Sequence, residues 1–350
     1  MCKKIRNVFF KNLTFEKLLA AHYRAKKNKA YKKDVITFEM NLENNIINLL
    51  NSIKNNRYKM GKYYDFKVFE PKERTIHSLP YRDRVVHQWY VEEFIKPYIL
   101  PKFISSSFAC ITGKGTHKAN DYIQHQMQIF KRNYGDFWVL KCDIKKFFYN
   151  IDPYILYHIL CKYIEDPYLK NFTKQLIFDG RDIIGTVGIP IGNYTSQFFA
   201  NIYLNELDQY VKRILKVKYY GRYMDDFILI LKSKEECIQR KEQIEIFLDE
   251  ELHLDLNAKS RYYPDKMGIN FCGYRTFTTH RLLRTNSKKK IKRKVKEWNY
   301  LYHHKKLNFN KTLMSLNAWK GHASHCNSYN LQQKIYSNCD FIYKPNSEIF

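Results

Sequence analysis

Residues Tyr223-Met224-Asp225-Asp226-Phe227-Ile228-Leu229-Ile230-Leu231 decide how this chain is read. The apolar run 227–231 suits a buried strand and a β-prone run ends at Tyr223. Between them lies a tight hairpin with neighbouring acids at its tip. Asp is ordinary in turns, because its side chain bonds its own backbone. A second acid changes the reading. Phe137-Trp138-Val139-Leu140-Lys141-Cys142 is another strand-like run and delivers Asp143 at its end, 82 residues before Asp225. Three carboxylates from two adjacent strands can build one divalent-cation site. Mg²⁺ suits such hard oxygen ligands and typically takes one or two carboxylates plus substrate phosphates. The same donor set suits two-metal phosphoryl transfer, with ions roughly 4 Å apart at the attacking and leaving oxygens. A triphosphate needs cations as well, and the Lys72-Glu73-Arg74 turn supplies them, Arg through forked contacts.

The whole composition agrees with a polyanionic partner. The 350 residues hold 61 Lys and Arg against 34 Asp and Glu, a net charge of +27. Such charge repels itself unless nucleic acid shares it. With 45% apolar and 16% aromatic residues the chain is a folded protein rather than a basic tail, large enough for two or three subdomains. An anionic membrane surface is the weaker rival, since no Leu-rich amphipathic anchor or lipidation signal is present. No apolar stretch follows the basic start Met1–Arg6, and none approaches the roughly 18 residues of a membrane span. A soluble, cytoplasmic protein is expected. The eight cysteines (2, 110, 142, 161, 237, 272, 326 and 339) form no CxxC pair, which suits reduced, structural thiols. His303-His304 and His322/His325 lack a cysteine to close a four-ligand shell, so structural zinc is not expected.

Periodicity gives the organisation. Residues 14–56 read as helical, opened by a Thr14-Phe15-Glu16-Lys17 capping box. Two short strands, 66–70 and 74–76, flank the 71–73 turn, and a helix follows over 83–100. After Asp143 come helices at 153–163 and 165–178, a Gly- and Pro-punctuated segment 186–191, a helix from 195 to 215, the acidic hairpin, a helix at 234–252 and two strands within 269–283. Residues 287–306 carry nine Lys and Arg and one acid, with Ile291, Val295, Trp298 and Tyr302 at helical intervals. This is an amphipathic helix with a basic, phosphate-facing outer surface. Helices at 311–320 and 328–338 follow, separated by a Gly321-His322 break. The fold class is α+β.

Asp143-Ile144-Lys145-Lys146-Phe147-Phe148 resembles motif A of reverse transcriptases, and Tyr223–Asp226 their motif C. Gly188-Ile189-Pro190-Ile191-Gly192-Asn193-Tyr194-Thr195-Ser196-Gln197 fits motif B, Leu256–Lys259 motif D, and Asn270–Tyr274 motif E. The order holds over 66–275. Within that superfamily, which includes group II intron enzymes, the chain looks most like reverse transcriptases of diversity-generating retroelements. Ile191–Gln197 follows their [I/V/L]GxxxSQ form where most relatives have QGxxxSP. Tyr81–Val86, Gly113–Thr116 and Trp319–His322 also match.

The resemblance implies a right-hand polymerase: fingers with an N-terminal helical extension (1–135), a palm holding an antiparallel sheet (136–280) and a basic helical thumb (281–350). It implies RNA-templated DNA synthesis from deoxynucleoside triphosphates with two Mg²⁺ ions, Mn²⁺ being a possible substitute. Asp143 and Asp225 would ligate both ions, with the Ile144 carbonyl beside them and Asp226 in support. Phe148 would be the steric gate against a 2′-OH, core packing being its alternative, because Phe147 and Phe148 on a strand face opposite ways. Arg74 would contact the triphosphate, with Lys72 or Lys67 as companion. Ile191, Gly192, Gln197 and Tyr223 would line the nucleotide and template site. Lys259 is the candidate general acid, a structural or exposed lysine being the alternative. The family copies a template-repeat RNA into cDNA mutagenised at adenines, holds an RNA·DNA duplex, and works with a small basic oligomeric accessory protein; its members are bacterial or phage-encoded. An antiviral reverse transcriptase and a non-catalytic RNA-binding factor are the competing readings.

Overall fold

The computed structural model describes residues 4–69, 73–179 and 187–343. Among the described residues nine strands form three antiparallel sheets between helices, an α+β architecture. The central sheet has the order β4-β5-β3-β6, built from β3 (Trp138–Asp143), β4 (Tyr220–Tyr223), β5 (Asp226–Leu231) and β6 (Arg261–Pro264). A hairpin of β1 (Tyr64–Val68) and β2 (Arg74–Ser78) stands apart, as does the meander β7 (Ile269–Phe271), β8 (Tyr274–Thr276) and β9 (Arg281–Leu283).

Successive strand residues point to opposite faces, and here both faces are covered. Val139, Ile228 and Ile230 pack with Ile123, Met127 and Phe130 of the helix Thr116–Tyr134. Leu140, Cys142, Phe227 and Leu229 join the larger core with the helices Tyr81–Tyr90, Tyr194–Gln209 and Lys234–Leu252. Burial on both sides is why 227–231 is an unbroken apolar run. A third core, around Ile291, Val295, Trp298, Leu316 and Ile335, joins the C-terminal helices.

Local chemistry sets the helix ends. Asp166 accepts from the amides of Tyr168 and Leu169 and opens Pro167–Phe178. Ser233 does the same for Lys234–Leu252 through Glu236. Thr14 caps Phe15–Lys26 through the amide of Lys17, but the expected capping box is only half present, since a lysine stands where the box needs an acid or amide. The long helical stretch 14–56 is three helices, Phe15–Lys26, Lys33–Glu39 and Leu42–Lys54. Two expected helices change their winding: Val91–Ile95 and Tyr210–Ile214 are π-helical turns. The Gly321-His322 break does not occur. Phe309–Ala323 runs through it, with open space at Gly321 and the His322 main chain and ring both bonded to the Tyr274 hydroxyl. The segment 269–283 holds three strands rather than two, and β6 and the helix Thr116–Tyr134 were not anticipated.

Among the described residues no helix is long and apolar enough to cross a membrane. The seven described cysteines are free thiols.

Candidate active site

The acidic hairpin closes with Tyr223 opposite Asp226, leaving Met224 and Asp225 as its two-residue turn. Met224 takes φ +56°, a left-handed conformation that costs a non-glycine residue about 1–2 kcal/mol. A buried clamp holds it there. Arg222 Nη1 donates to the Met224 carbonyl at 3.0 Å and to Asn201 Oδ1 at 3.0 Å. Its Nε and Nη2 grip the two Asp208 oxygens at 2.7 and 2.6 Å, and Tyr220 OH donates to Asp208 Oδ1 at 2.7 Å. Arg222 and Asp208 are both 0% exposed. This pair escaped the sequence reading, although an arginine inside an apolar strand was a visible signal.

Asp143, at the end of β3, lies directly opposite Asp226 in the β3–β5 register, so their side chains share a face. The segment after Leu256 holds Asp143 in place. Asn257 donates its side-chain amide to Asp143 Oδ2 at 3.0 Å and its backbone amide to the Asp143 carbonyl at 2.7 Å. The Asp143 amide in turn donates to Ser260 Oγ at 3.1 Å. Ile144 is buried and bridges to Leu256.

Electrostatics separate the three acids. Asp226 forms an ion pair with Lys141, two residues before Asp143 on the same strand face. Burial raises its carboxyl above the usual range, against the pull of Lys141. Asp225 is pushed up to about 6, first by burial and then by the charge of Asp143, while Arg74 opposes the rise. Arg74 on β2 therefore acts across from one sheet onto the acids of another. Among the described residues no three His, Cys, Asp or Glu form a cluster that could hold a metal by themselves. With Asp226 given to Lys141, the side-chain oxygens on offer are those of Asp143 and Asp225. Their all-oxygen chemistry and mutual repulsion fit a hard divalent cation, which would relieve the strain on Asp225.

The Gly-punctuated segment joins this site to the β1–β2 hairpin. The His77 amide donates to the Ile191 carbonyl at 2.8 Å. Gly192 has φ +134°, and a Cβ there would stand 2.6 Å from the His77 carbonyl oxygen, so only glycine permits the approach. At its other end Ile189 N donates to the Phe148 carbonyl at 2.8 Å. Phe147 and Phe148 do not lie on a strand. Lys146, at φ +46°, turns the chain into the one-turn helix Phe147–Asn150, where Phe147 is buried and Phe148 half-buried beside the segment. Gln197 is exposed on the first turn of Tyr194–Gln209 and accepts from Cys110 Sγ at 3.5 Å. Tyr223 is half-buried against the core beneath the helix Thr116–Tyr134. Lys259 is exposed, its amide donating to Asn257 Oδ1 at 3.1 Å. Lys67 pairs with Glu73 at 2.8 Å across the β1–β2 hairpin, and Lys72 lies outside the described residues.

The structure thus brings Asp143, Asp225, Asp226 and Arg74 within electrostatic reach and docks Ile191 and Gly192 on β2. It adds Lys141, Asn257, Ser260, Asp208 and Arg222, whose roles depend on partners distant in sequence.

A family model described as reverse transcriptase (RNA-dependent DNA polymerase) matches residues 66–276. That is more than half of the chain, and the protein belongs to this family. It is similar to the group II intron-encoded protein LtrA of Lactococcus lactis subsp. cremoris, 23% identical over 312 residues that cover 66% of this chain and 49% of LtrA. It is also similar to protein YkfC of Escherichia coli K12, 25% identical over 264 residues covering 63% of this chain and 67% of YkfC. The chain spans about half the length of LtrA. Among solved structures, a Candida albicans telomerase in complex with a TWJ fragment of telomeric RNA aligns at 12% identity with a TM-score of 0.47, over 69% of this chain and 51% of that one.

Proposed function

We propose that this protein is an RNA-directed DNA polymerase, transferring deoxynucleotides from their triphosphates to a primer 3′ end on an RNA template. The carrying observation is that Asp143 and the Asp225–Asp226 turn converge from separate strands, with Arg74 acting on them from the β1–β2 hairpin. In this reading residues 1–135 are the N-terminal extension and fingers, 136–280 the palm and 281–350 the thumb.

Asp143 and Asp225, with the Ile144 carbonyl, would hold divalent cations, Mg²⁺ or Mn²⁺. When bound, these lower the pKa of the primer hydroxyl and stabilise the leaving pyrophosphate. Asn257 and Ser260 fix Asp143, while the Asp208–Arg222 pair fixes the Met224–Asp225 turn, so the acids are pre-set before substrate arrives. Asp226 neutralises Lys141 and braces the hairpin. Arg74 orients the triphosphate, with Lys72 or Lys67 as companion. Phe148 excludes a 2′-OH, Tyr223 and Gly192 line the primer and nucleotide positions, and Lys259 is the candidate general acid toward pyrophosphate.

The finer reading is a diversity-generating retroelement enzyme that copies a template-repeat RNA, misincorporates opposite adenine and assembles with a small basic oligomeric accessory protein. Its support is the Ile191–Gln197 pattern, with Ile191 docked on the strand that carries Arg74. Primer extension on an RNA template tests the first level: label should enter with wild type and fail with Asp225→Ala, and equal incorporation would end the polymerase reading. Sequencing the cDNA tests the second, where errors should cluster at template adenines.

A further inference from the structure

At the end of the central sheet away from the acids lies a basic pocket that the polymerase chemistry does not use. It is about 170 Å³ and is lined by Tyr134, Lys216, Lys218, Tyr219, Lys232 and Arg240, with Leu231 and Glu236 among its walls. Leu231 ends β5 and Asp226 begins it, so about 16 Å of strand separates the pocket from the acidic turn.

Three observations mark it as built for an anion. Tyr219 is 5% exposed, yet its hydroxyl has no hydrogen-bond partner. Buried polar atoms are normally satisfied, and an orphan costs about 1–3 kcal/mol. Arg240 Nε is likewise buried without a partner, although Nη1 of the same guanidinium donates to Gln243 at 2.9 Å. Second, none of Lys216, Lys218, Lys232 and Arg240 belongs to an ion pair among the described residues. The one acid in the wall, Glu236, accepts from the Lys232 backbone amide at 2.9 Å. Third, the loop is pre-formed. Lys212 Nζ donates to the carbonyls of Val217 and Lys218 at 3.1 and 2.8 Å, and Lys216 is held at φ +53°. Lys218 and Lys232 lie over the rings of Tyr219 and Tyr134 at 5.4 and 5.0 Å, which fixes their ammonium groups at the rim.

We infer that this pocket is a second, non-catalytic phosphate site that takes a backbone phosphate of the RNA outside the primed duplex. The inference rests on the reading that the chain handles RNA. The lysines supply the attraction for a phosphate, and Tyr219 OH and Arg240 Nε are the unpartnered donors behind the wall that an anion settling into the pocket would satisfy. The site would anchor the unpaired or folded part of a template while the primed end occupies the acids.

The test compares a primed RNA template bearing a 5′ hairpin with the same template trimmed to the primed duplex. Wild type should bind the longer RNA about tenfold more tightly. Lys216→Gln/Lys218→Gln and, separately, Tyr219→Phe should abolish that preference while extending the trimmed primer at the wild-type rate. Tyr219→Phe discriminates most sharply: removing an orphan hydroxyl should leave the melting temperature unchanged or raised, so lost RNA preference cannot be blamed on misfolding. Retained preference in both variants overturns the inference. If millimolar inorganic phosphate stabilises wild type but not the variants and the RNA preference is nevertheless unaffected, the site takes a small anion and the RNA assignment is wrong. Failure of all extension alongside a retained difference in RNA binding would fault the polymerase reading and not this one.

Discussion

Asp225 carries the sharpest residue-scale conflict. Its carboxyl is pushed up to about 6 by burial and by Asp143, against about 3.9 when unfolded. A group raised on folding favours the folded state most below its unfolded pKa and loses that contribution as pH climbs through the folded value. Between pH 4 and 6 the wild type therefore sheds stability. In chelator, Asp225→Asn should melt above wild type at pH 7.5 by the equivalent of about 1–3 kcal/mol, and the gain should vanish near pH 4. Equal melting at pH 7.5 would refute the strain. Lys141 gives the converse case. Lys141→Gln leaves Asp226 half-buried without its counter-charge, at a cost of about 1–3 kcal/mol. Added Mg²⁺ should then stabilise the variant more than it stabilises wild type, which thermal melts with and without the ion would register.

At the scale of elements, two contacts join separate pieces of chain into one site. The first is Gly192 against β2. A methyl group there meets the His77 carbonyl at 2.6 Å and occupies a φ that alanine avoids, so the 188–192 segment must move away from the strand bearing Arg74. Gly192→Ala should lower incorporation efficiency about 10- to 100-fold, mostly through KM for the nucleotide, since displacement of about 1 Å has that scale of effect. Unchanged KM would mean that this docking does not position the nucleotide. The second is the clamp behind the turn. Asp208→Ala strands the Arg222 guanidinium in the core, and breaking such a buried pair costs about 3–5 kcal/mol. Denaturant unfolding should show that loss; a change below about 1 kcal/mol would contradict the clamp.

For the whole molecule, charge and architecture work together. A net charge of +27 favours a polyanion, and one dense share of it sits on the helix Thr285–His303, which carries seven Lys and Arg against one Glu and whose Ile291, Val295 and Trp298 face the third core. Lys289, Lys292 and Lys296 are exposed along its outer side. Replacing all three with Gln should flatten the slope of log affinity against log salt for an RNA·DNA duplex by about 2–3, given about 0.9 per phosphate contact. An unchanged slope would mean that this face does not touch the duplex.

The sequence by itself determined the acidic hairpin, the strand ending in Asp143, the basic amphipathic helix and the family. Each is written in a local pattern: an apolar run, a turn, a period of 3.6, a string of motifs in order. It could not supply the groups that hold the acids. Asn257, Ser260, Asp208, Arg222 and Lys141 are ordinary residues until β6 pairs with β3, the helix Tyr194–Gln209 packs behind β4, and β3 and β5 fall into register, which brings them to Asp143, Met224 and Asp226. Gly321-His322 shows the same limit from the other side, since a local break signal lost to a tertiary hydrogen bond with Tyr274. Only the tertiary structure decided which charges are paired and which are left in conflict, because desolvation and Coulomb forces depend on neighbours in space.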